Sequence, residues 1–596
     1  VSRTARFGSW LVRPIRDLAA EDRAVALIAL AFALSEAVAF GWDLPGSHGW
    51  ENDGVAPRDL FGGIAHNLTP GSTHRYPLLH YLLLAVASLP ALLAAVLSGP
   101  LTGDAIQSRV LSVPCMTAIS LMAKALATLM GTVSILVLAR IVRRTLNARA
   151  ARYTAAFAAT NLTFAFYARV SNLDGPYLLW TVLALDALLD VLESGERRAY
   201  TRFGLFAAMA VATKDQAYAS FILVVPVYFV LLPLLARGRF SRAHLRLSAR
   251  GAGVAVLAYG LLSGALLNPT GFVKRLGELS GPSSQAWRGY SKDALGLAAN
   301  LRDTLRAAGL DFWPVPVFAL SLFGVMLALA HRPGQSSIET RTARALPFLA
   351  GLSSFVFFTL AVGRSEHRFL LPLGFLLAPY AGVAADALIL ATRQLGGERG
   401  ERVGALVVTL TLVWCGVKSG AAHLTQLGDA RREVAAFLRK LPPGSQVETY
   451  GLVVYAPHFD VSPASPYRVT RVGRERPRAR NPLVGARELE APIADVEARR
   501  PDVLVLSEGF TTPYLAQSTD RSRPLSGIMR ERQADAETGA FVRAAVTDGL
   551  PHYRLAFAAR PRLPSWASAL GLRPVGIQGT TGLSLWVLVR EEPAPT

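Results

Sequence analysis

Apolar residues run along this chain in long blocks, not in the stripes of a soluble fold. Stretches of about 20 apolar positions, enough to cross a hydrocarbon core of roughly 30 Å, recur at 23–42, 76–98, 113–139, 150–168, 173–192, 200–213, 216–236, 249–267, 310–330, 344–363, 369–391 and 403–420. Past residue 421 the pattern changes. Asp429–Leu441 has the helical period and is closed by Pro442, Pro443 and Gly444. Gln446–Val454, Asp502–Leu506, Tyr553–Ala558 and Leu583–Val589 read as strands, some of them separated by helical stretches near 491–499 and 537–547. Residues 468–480, rich in Arg and Pro, read as an exposed loop. The fold expected is a polytopic α-helical membrane protein with about 11–13 transmembrane helices over 1–420. A soluble α/β domain is expected over 421–596, roughly 170 residues and within the usual domain range.

Composition agrees: 52% of the 596 residues are hydrophobic and the mean hydropathy is +0.33. A formal charge of +20 invites a nucleic-acid partner, but its distribution argues against one. Arg13, Arg16 and Arg23; Arg140, Arg143, Arg144 and Arg149; Arg197 and Arg198; Arg237, Arg239, Arg242 and Arg246; Arg341 and Arg344; and Arg393, Arg399 and Arg402 cluster in short segments between apolar runs. That is the positive-inside pattern, which fixes orientation without any polyanion. With these clusters cytoplasmic, the external segments are 43–75, 168–175, 213–216, 268–309, 363–368 and everything after 421. One conflict of parity remains. If 76–98 and 113–139 both cross fully, the Arg140 cluster faces outside, so 76–98, with Pro77 and Pro90, is expected to be re-entrant or partly inserted. No cleavable signal peptide is expected, because the first apolar run follows an Arg-rich segment and keeps going. Cys115 and Cys415 lie in apolar runs and read as packing residues. Sparse Lys against abundant Arg, Ala and Gly points to a GC-rich bacterial genome, hence a bacterial inner (cytoplasmic) membrane.

The external segments gather polar and ionisable side chains: Asp43, Glu51, Asp53 and Asp59; Arg169, Asn172 and Asp174; Lys214 and Asp215; Arg364, Glu366, His367 and Arg368. Such groups are costly at a membrane boundary and usually serve function. Asp53, flanked by Asn52 and Gly54, suits a general base for an acceptor hydroxyl, with Glu51 its nearest competitor; the plain alternative is a solvated loop acid. Asp174 stands before Pro176, where an acid is commonly a helix cap. Arg169 suits a phosphate contact. Lys214 does too, unless it is a snorkelling lysine. Glu366-His367-Arg368 supplies three titratable groups where an interfacial anchor needs one. His48, His66, His74 and His80 match no compact metal-ligand spacing, so no cofactor is expected, the need for a divalent metal staying open. With no P-loop, no dinucleotide fingerprint and no Asp-x-Asp pattern, a nucleotide donor is unsupported.

The order of these motifs resembles the GT-C superfamily of polytopic glycosyltransferases, which includes protein O-mannosyltransferases and bacterial aminoarabinose transferases. The resemblance covers about residues 20–420. It rests on the acidic first external loop ending in Tyr76-Pro77-Leu78-Leu79, on Arg109 to Pro114, on Ala168-Arg169 to Asp174, on Thr213-Lys214, and on His367-Arg368 to Pro372. Two positions depart from the family pattern: Leu78 replaces a second Pro, and Gly54 follows Asp53 where a Glu is usual. The resemblance implies a sugar donor carried on a polyprenyl phosphate, transfer with inversion, and a lipid, glycan or protein acceptor. It implies Asp53 as the catalytic base, Asp174 as a second external acid, and Lys214 with Arg169 or Arg368 as holders of the donor phosphate; Glu51, the competitor for base, and His367, beside Arg368, complete the catalytic and phosphate-binding candidates. The rival expectation is a transporter or flippase for lipid-linked saccharides, for which Glu36, Lys124, Asp186 and Asp386 are the main mid-span charges. A third is a membrane scaffold for the C-terminal domain.

Overall fold

The computed structural model describes residues 22–46, 48–281, 290–291, 293–330, 337–364, 366–460, 462, 464–474, 483, 485–515, 535–577 and 580–591. Up to residue 427 the described chain is helical bundle and loop. Among the described residues six helices are long and apolar enough to cross a membrane, and a seventh span forms if Ala294–Asp311 and Val315–Leu329, bent by 107°, count as one. This is the expected polytopic architecture with fewer uninterrupted spans. The run at 150–168 is broken into Ala148–Ala159 and Leu162–Arg169. The break falls at Asn161, whose side chain accepts from the Phe164 N–H and so starts a new helix in place of continuing the old one. Arg23–Ala37 and Arg197–Thr213 are 15 and 17 residues long. Residues 76–98, expected to be re-entrant or partly inserted, form the continuous helix Leu78–Leu97; its 20 residues suffice by length to cross, and Pro90 sits inside it.

Ala378–Leu427 is a hairpin of two helices. Gly396 and Gly397 leave helical geometry, Gly397 at φ +57°, and a Cβ at Gly404 would come within 3.1 Å of the Ile389 Cα. Fifteen residues along a straight helix would lie about 22 Å apart. Glycines also seat other helix pairs. A Cβ at Gly204 would overlap the Gly251 carbonyl, joining Arg197–Thr213 to Arg242–Leu262 at backbone contact. Small residues at helix crossings are how apolar helices gain packing where lipid offers no hydrophobic drive.

The C-terminal region is a six-stranded mixed sheet ordered β3-β2-β1-β4-β6-β5, from β1 (Ser445–Tyr450), β2 (Tyr467–Gly473), β3 (Arg487–Glu490), β4 (Val503–Ser507), β5 (Tyr553–Ala559) and β6 (Leu585–Arg590). β1 pairs in parallel with β2 and β4, β2 in parallel with β3, and β6 antiparallel with β4 and β5. Apolar clusters lie on both sides, one built on Val434, Val447 and Val505, the other on Tyr450, Leu504 and Phe510. Helix Ala430–Leu438 covers the first. Four strands fall within a residue or a few of the β-like runs. The loop expected over 468–480 is corrected: 467–473 is strand β2 beside the central β1, and 475–482 lie outside the described residues. Its buried Arg471 breaks the apolar pattern and is matched by Glu488 on β3 at 2.9 Å, so charge pairing lets a polar residue enter the sheet.

Candidate active site

Two loops zip together to build the site. The Val55 N–H donates to the Ser171 carbonyl at 2.7 Å, the Ser171 hydroxyl to the Ala56 carbonyl at 3.2 Å, and the Asn172 amide to Glu51 Oε1 at 2.6 Å and to the Asn52 carbonyl at 3.3 Å. Asn172 also accepts from the Asp174 N–H at 2.9 Å, turning the chain into the Pro176–Ser194 helix. Asp53 sits at φ +64°, a conformation that Asp tolerates better than most residues. A Cβ at Gly54 would stand 3.0 Å from Glu51 Oε2 and 3.2 Å from the Ser171 hydroxyl, so glycine there lets the loops close.

Charges from four distant segments meet here. Asp53 receives Arg75 at 2.8 Å on one oxygen and Arg368 on the other. Arg368 is also 3.4 Å from Glu366 and packs over Phe369. Lys214, at the extended residue that ends helix Arg197–Thr213, lies 2.6 Å from Asp174 Oδ2 and 5.8 Å from the Tyr76 ring. Both members of that pair are buried, and they meet by distance without the alignment of a hydrogen bond. Burial pushes the Glu51 carboxyl well above the ordinary glutamate value, and the Asn172 hydrogen bond only partly counters it. Burial acts the same way on Asp53, but the Arg368 and Arg75 guanidiniums with the Lys214 ammonium outweigh it and hold that carboxyl below its ordinary value. Around this cluster Glu51 Oε2, the Tyr167 hydroxyl and Thr213 Oγ1 are buried without a hydrogen-bond partner. Buried polar atoms are rarely left so, and a polar ligand seated among them would satisfy them.

Of the residues singled out from sequence, Glu51, Asp53, Asp174, Lys214 and Arg368 come together. Arg169 does not join them. Its Nε and one terminal nitrogen are engaged by Gln426 at 2.6 Å and Glu36 at 2.8 Å, with His423 at 3.2 Å, and the other terminal nitrogen is buried without a hydrogen-bond partner. The His367 side chain lies outside the described residues, though its backbone opens helix His367–Leu376. Asp43 pairs with Lys124 at 2.5 Å, Asp59 with Tyr81 at 2.9 Å, and Asp215 with Arg275 at 3.4 Å. His48 lies against His458, His66 against His74, and among the described residues no three His, Cys, Asp or Glu side chains are placed to share a metal. The mid-span charges are all paired: Glu36 with Arg169, Lys124 with Asp43, Asp186 with Arg144 at 2.7 Å, and Asp386 with Arg149. Sequence reasoning missed Arg75 and Tyr167. Arg75 stands in the acidic loop next to Tyr76 and was open to notice; nothing marks Tyr167 within its apolar run.

The C-terminal domain reaches the same loop. Arg431, buried completely, lies 4.2 Å over the Trp50 ring and 5.7 Å from that of Trp42, and is paired with Asp429 at 2.6 Å. His458 stacks on Trp50 with ring centres 4.6 Å apart and donates to the Asp43 carbonyl at 2.5 Å. The loop's root is thereby fixed one residue before Glu51.

Residues 116–259 match the family model described as dolichyl-phosphate-mannose-protein mannosyltransferase. Among solved structures, ArnT from Cupriavidus metallidurans bound to undecaprenyl phosphate is 16% identical, covering 82% of this chain and 94% of that one, with a TM-score of 0.46. The Archaeoglobus fulgidus oligosaccharyltransferase tethered with an acceptor peptide is 11% identical, with 94% and 88% covered and a TM-score of 0.43. No curated protein shows significant similarity to the chain. The family match lies across the segment that carries Arg169 to Asp174 and Lys214, and over that segment the chain is similar to a family of glycosyltransferases.

Proposed function

We propose that the chain transfers a sugar from a polyprenyl-phosphate-linked donor to the hydroxyl of an external lipid, glycan or protein acceptor, with inversion at the anomeric carbon. The donor class follows the description of the matching family. The observation that carries the reading is the meeting of Asp53, Glu51, Asp174, Lys214 and Arg368 from four distant segments, beside buried polar atoms that lack partners. Asp53 takes the proton of the acceptor hydroxyl, whose oxygen attacks the anomeric carbon as the bond to the phosphate oxygen breaks. Lys214 and Arg368 receive the charge developing on the departing phosphate, where fixed cations in a site sheltered from water act most strongly. Glu51 is the second carboxylate within the loop, and Asp174 holds Lys214 in place. Arg169, committed to Glu36, is left out of this set; His367 keeps its place beside Arg368 on the sequence alone. The setting is a bacterial inner membrane, with the site and the C-terminal domain on the external side.

The test is transfer from radiolabelled polyprenyl-phosphate sugars in proteoliposomes, wild type beside Asp53→Asn. Loss of transfer by about 10²-fold or more, the usual scale for removing a general base, supports the assignment. Near-normal turnover of the variant removes Asp53 as base. Donor crossing the bilayer without bond cleavage replaces the reading with that of a flippase.

A further inference from the structure

We infer that Asp53 occupies the place of the donor phosphate on Arg368, and that Arg75 is the positioning residue that keeps Asp53 in the site when the phosphate takes Arg368 over. The inference rests on the proposed reading of the site. Both cations assigned to the phosphate already have carboxylate partners, Arg368 on Asp53 and Lys214 on Asp174. A phosphate therefore binds by exchange, not by simple addition. Stripping even a partly buried carboxylate of its cation is costly unless a second partner remains. Asp53 has one. Arg75 holds its other oxygen at 2.8 Å from a side chain that is 57% exposed, on the outer side of the partly buried Asp53–Arg368 pair. Arg368, for its part, keeps Glu366 at its other edge. Donor binding and release of the base are then one event: while Arg368 holds Asp53, its lone pairs are engaged, and the proton-accepting carboxylate is freed only when a donor is present to be attacked. Such coupling limits idle deprotonation and loss of the activated donor to water.

The exchange predicts opposite signs for two neighbouring substitutions. The probe is undecaprenyl phosphate without a sugar, titrated onto the full chain in nanodiscs. Asp53→Asn, which has nearly the shape of Asp but cannot compete as an anion for Arg368, is expected to bind the lipid about 5- to 10-fold more tightly, a gain near 1–1.4 kcal/mol. Arg75→Gln is expected to bind it several-fold more weakly, because the phosphate must now strand Asp53, and this loss is expected to vanish in the Asp53→Asn background. A purely structural Arg75 would weaken binding equally in both backgrounds, which overturns its positioning role. Asp59→Asn is the control for a general field effect, since Asp59 is bound to Tyr81 and His74 instead of Arg368. An equal gain from Asp59→Asn, or no gain from Asp53→Asn while Arg368→Gln abolishes binding, overturns the exchange and leaves the function standing. Wild type that does not bind the lipid, or binding indifferent to both Arg368→Gln and Lys214→Met, brings down the functional reading and the exchange with it.

Discussion

Asp53 and Glu51 stand two positions apart in one loop and are driven in opposite directions. Arginines hold Asp53 ionised to below its ordinary range, whereas burial keeps a proton on Glu51 to well above its own. The ionised form is the base. If Asp53 carries catalysis, kcat/KM stays level as the pH falls through the usual carboxylate range and drops only beneath it. If Glu51 carries it, the drop comes well above that range, so the acid limb of the profile identifies the base. Stability follows the same charge. A carboxyl with a raised native value costs stability as the pH climbs from its ordinary value through the raised one. Glu51→Gln keeps an oxygen for Asn172 and removes that cost. Its melting temperature should match wild type in acid and exceed it in alkali, by roughly 1–3 kcal/mol of stability, the scale of a buried polar mismatch; a variant less stable at every pH would count against a buried, protonated Glu51. At this scale the sequence was informative where charge stood out against an apolar background, as with Asp53, Asp174, Lys214 and Arg368. It was silent on Tyr167, one polar atom in an apolar run, and on the partners of Arg169, because Glu36 and Gln426 lie 133 and 257 positions away.

Elements that follow from one local property were legible, and those that depend on a neighbour were not. Apolar length alone marked Leu78–Leu97 and Val113–Thr145, but whether a run stays whole depends on details such as the Asn161 cap that splits 150–168. Strand β2 was hidden because its Arg471 is acceptable only once Glu488 is brought beside it. The glycine crossing of Arg197–Thr213 and Arg242–Leu262 also needs both partners to be seen. It bears on the proposed function because the first of these helices ends at Lys214. Gly204→Leu would force a side chain into the Gly251 carbonyl and push the helices apart. Overpacking of this kind typically costs about 1–3 kcal/mol. The expected result is a lowered melting temperature in detergent together with weakened polyprenyl-phosphate binding. Gly253→Leu, whose added Cβ would meet nothing within 4 Å, should change neither.

Across the whole molecule, the loop that carries Glu51 and Asp53 is anchored from two sides. From the helices, Lys124 donates to the carbonyls of Phe40 at 2.9 Å and Trp42 at 2.6 Å and pairs with Asp43. From the C-terminal domain, Arg431 and His458 enclose Trp50. Burial, with Arg431 and Lys124 nearby, outweighs Asp43 and pushes the His458 ring down to about 4, so it is neutral near pH 7. A histidine whose native value is depressed supports the folded contact fully above its ordinary value of about 6.5. That support is lost as the pH falls from there toward about 4. Docking of the sheet domain on the loop should therefore loosen across this interval, read as faster backbone hydrogen exchange in residues 43–54 after correction for the intrinsic pH dependence. His458→Phe preserves the stack on Trp50 but cannot take a proton, and should flatten the dependence. His458→Ala removes the stack as well, and should show fast exchange at every pH, with a lower kcat at little change in KM because the loop that bears Glu51 and Asp53 is no longer held. Exchange in 43–54 that ignores both variants would make the sheet domain a neighbour of the loop and not its support.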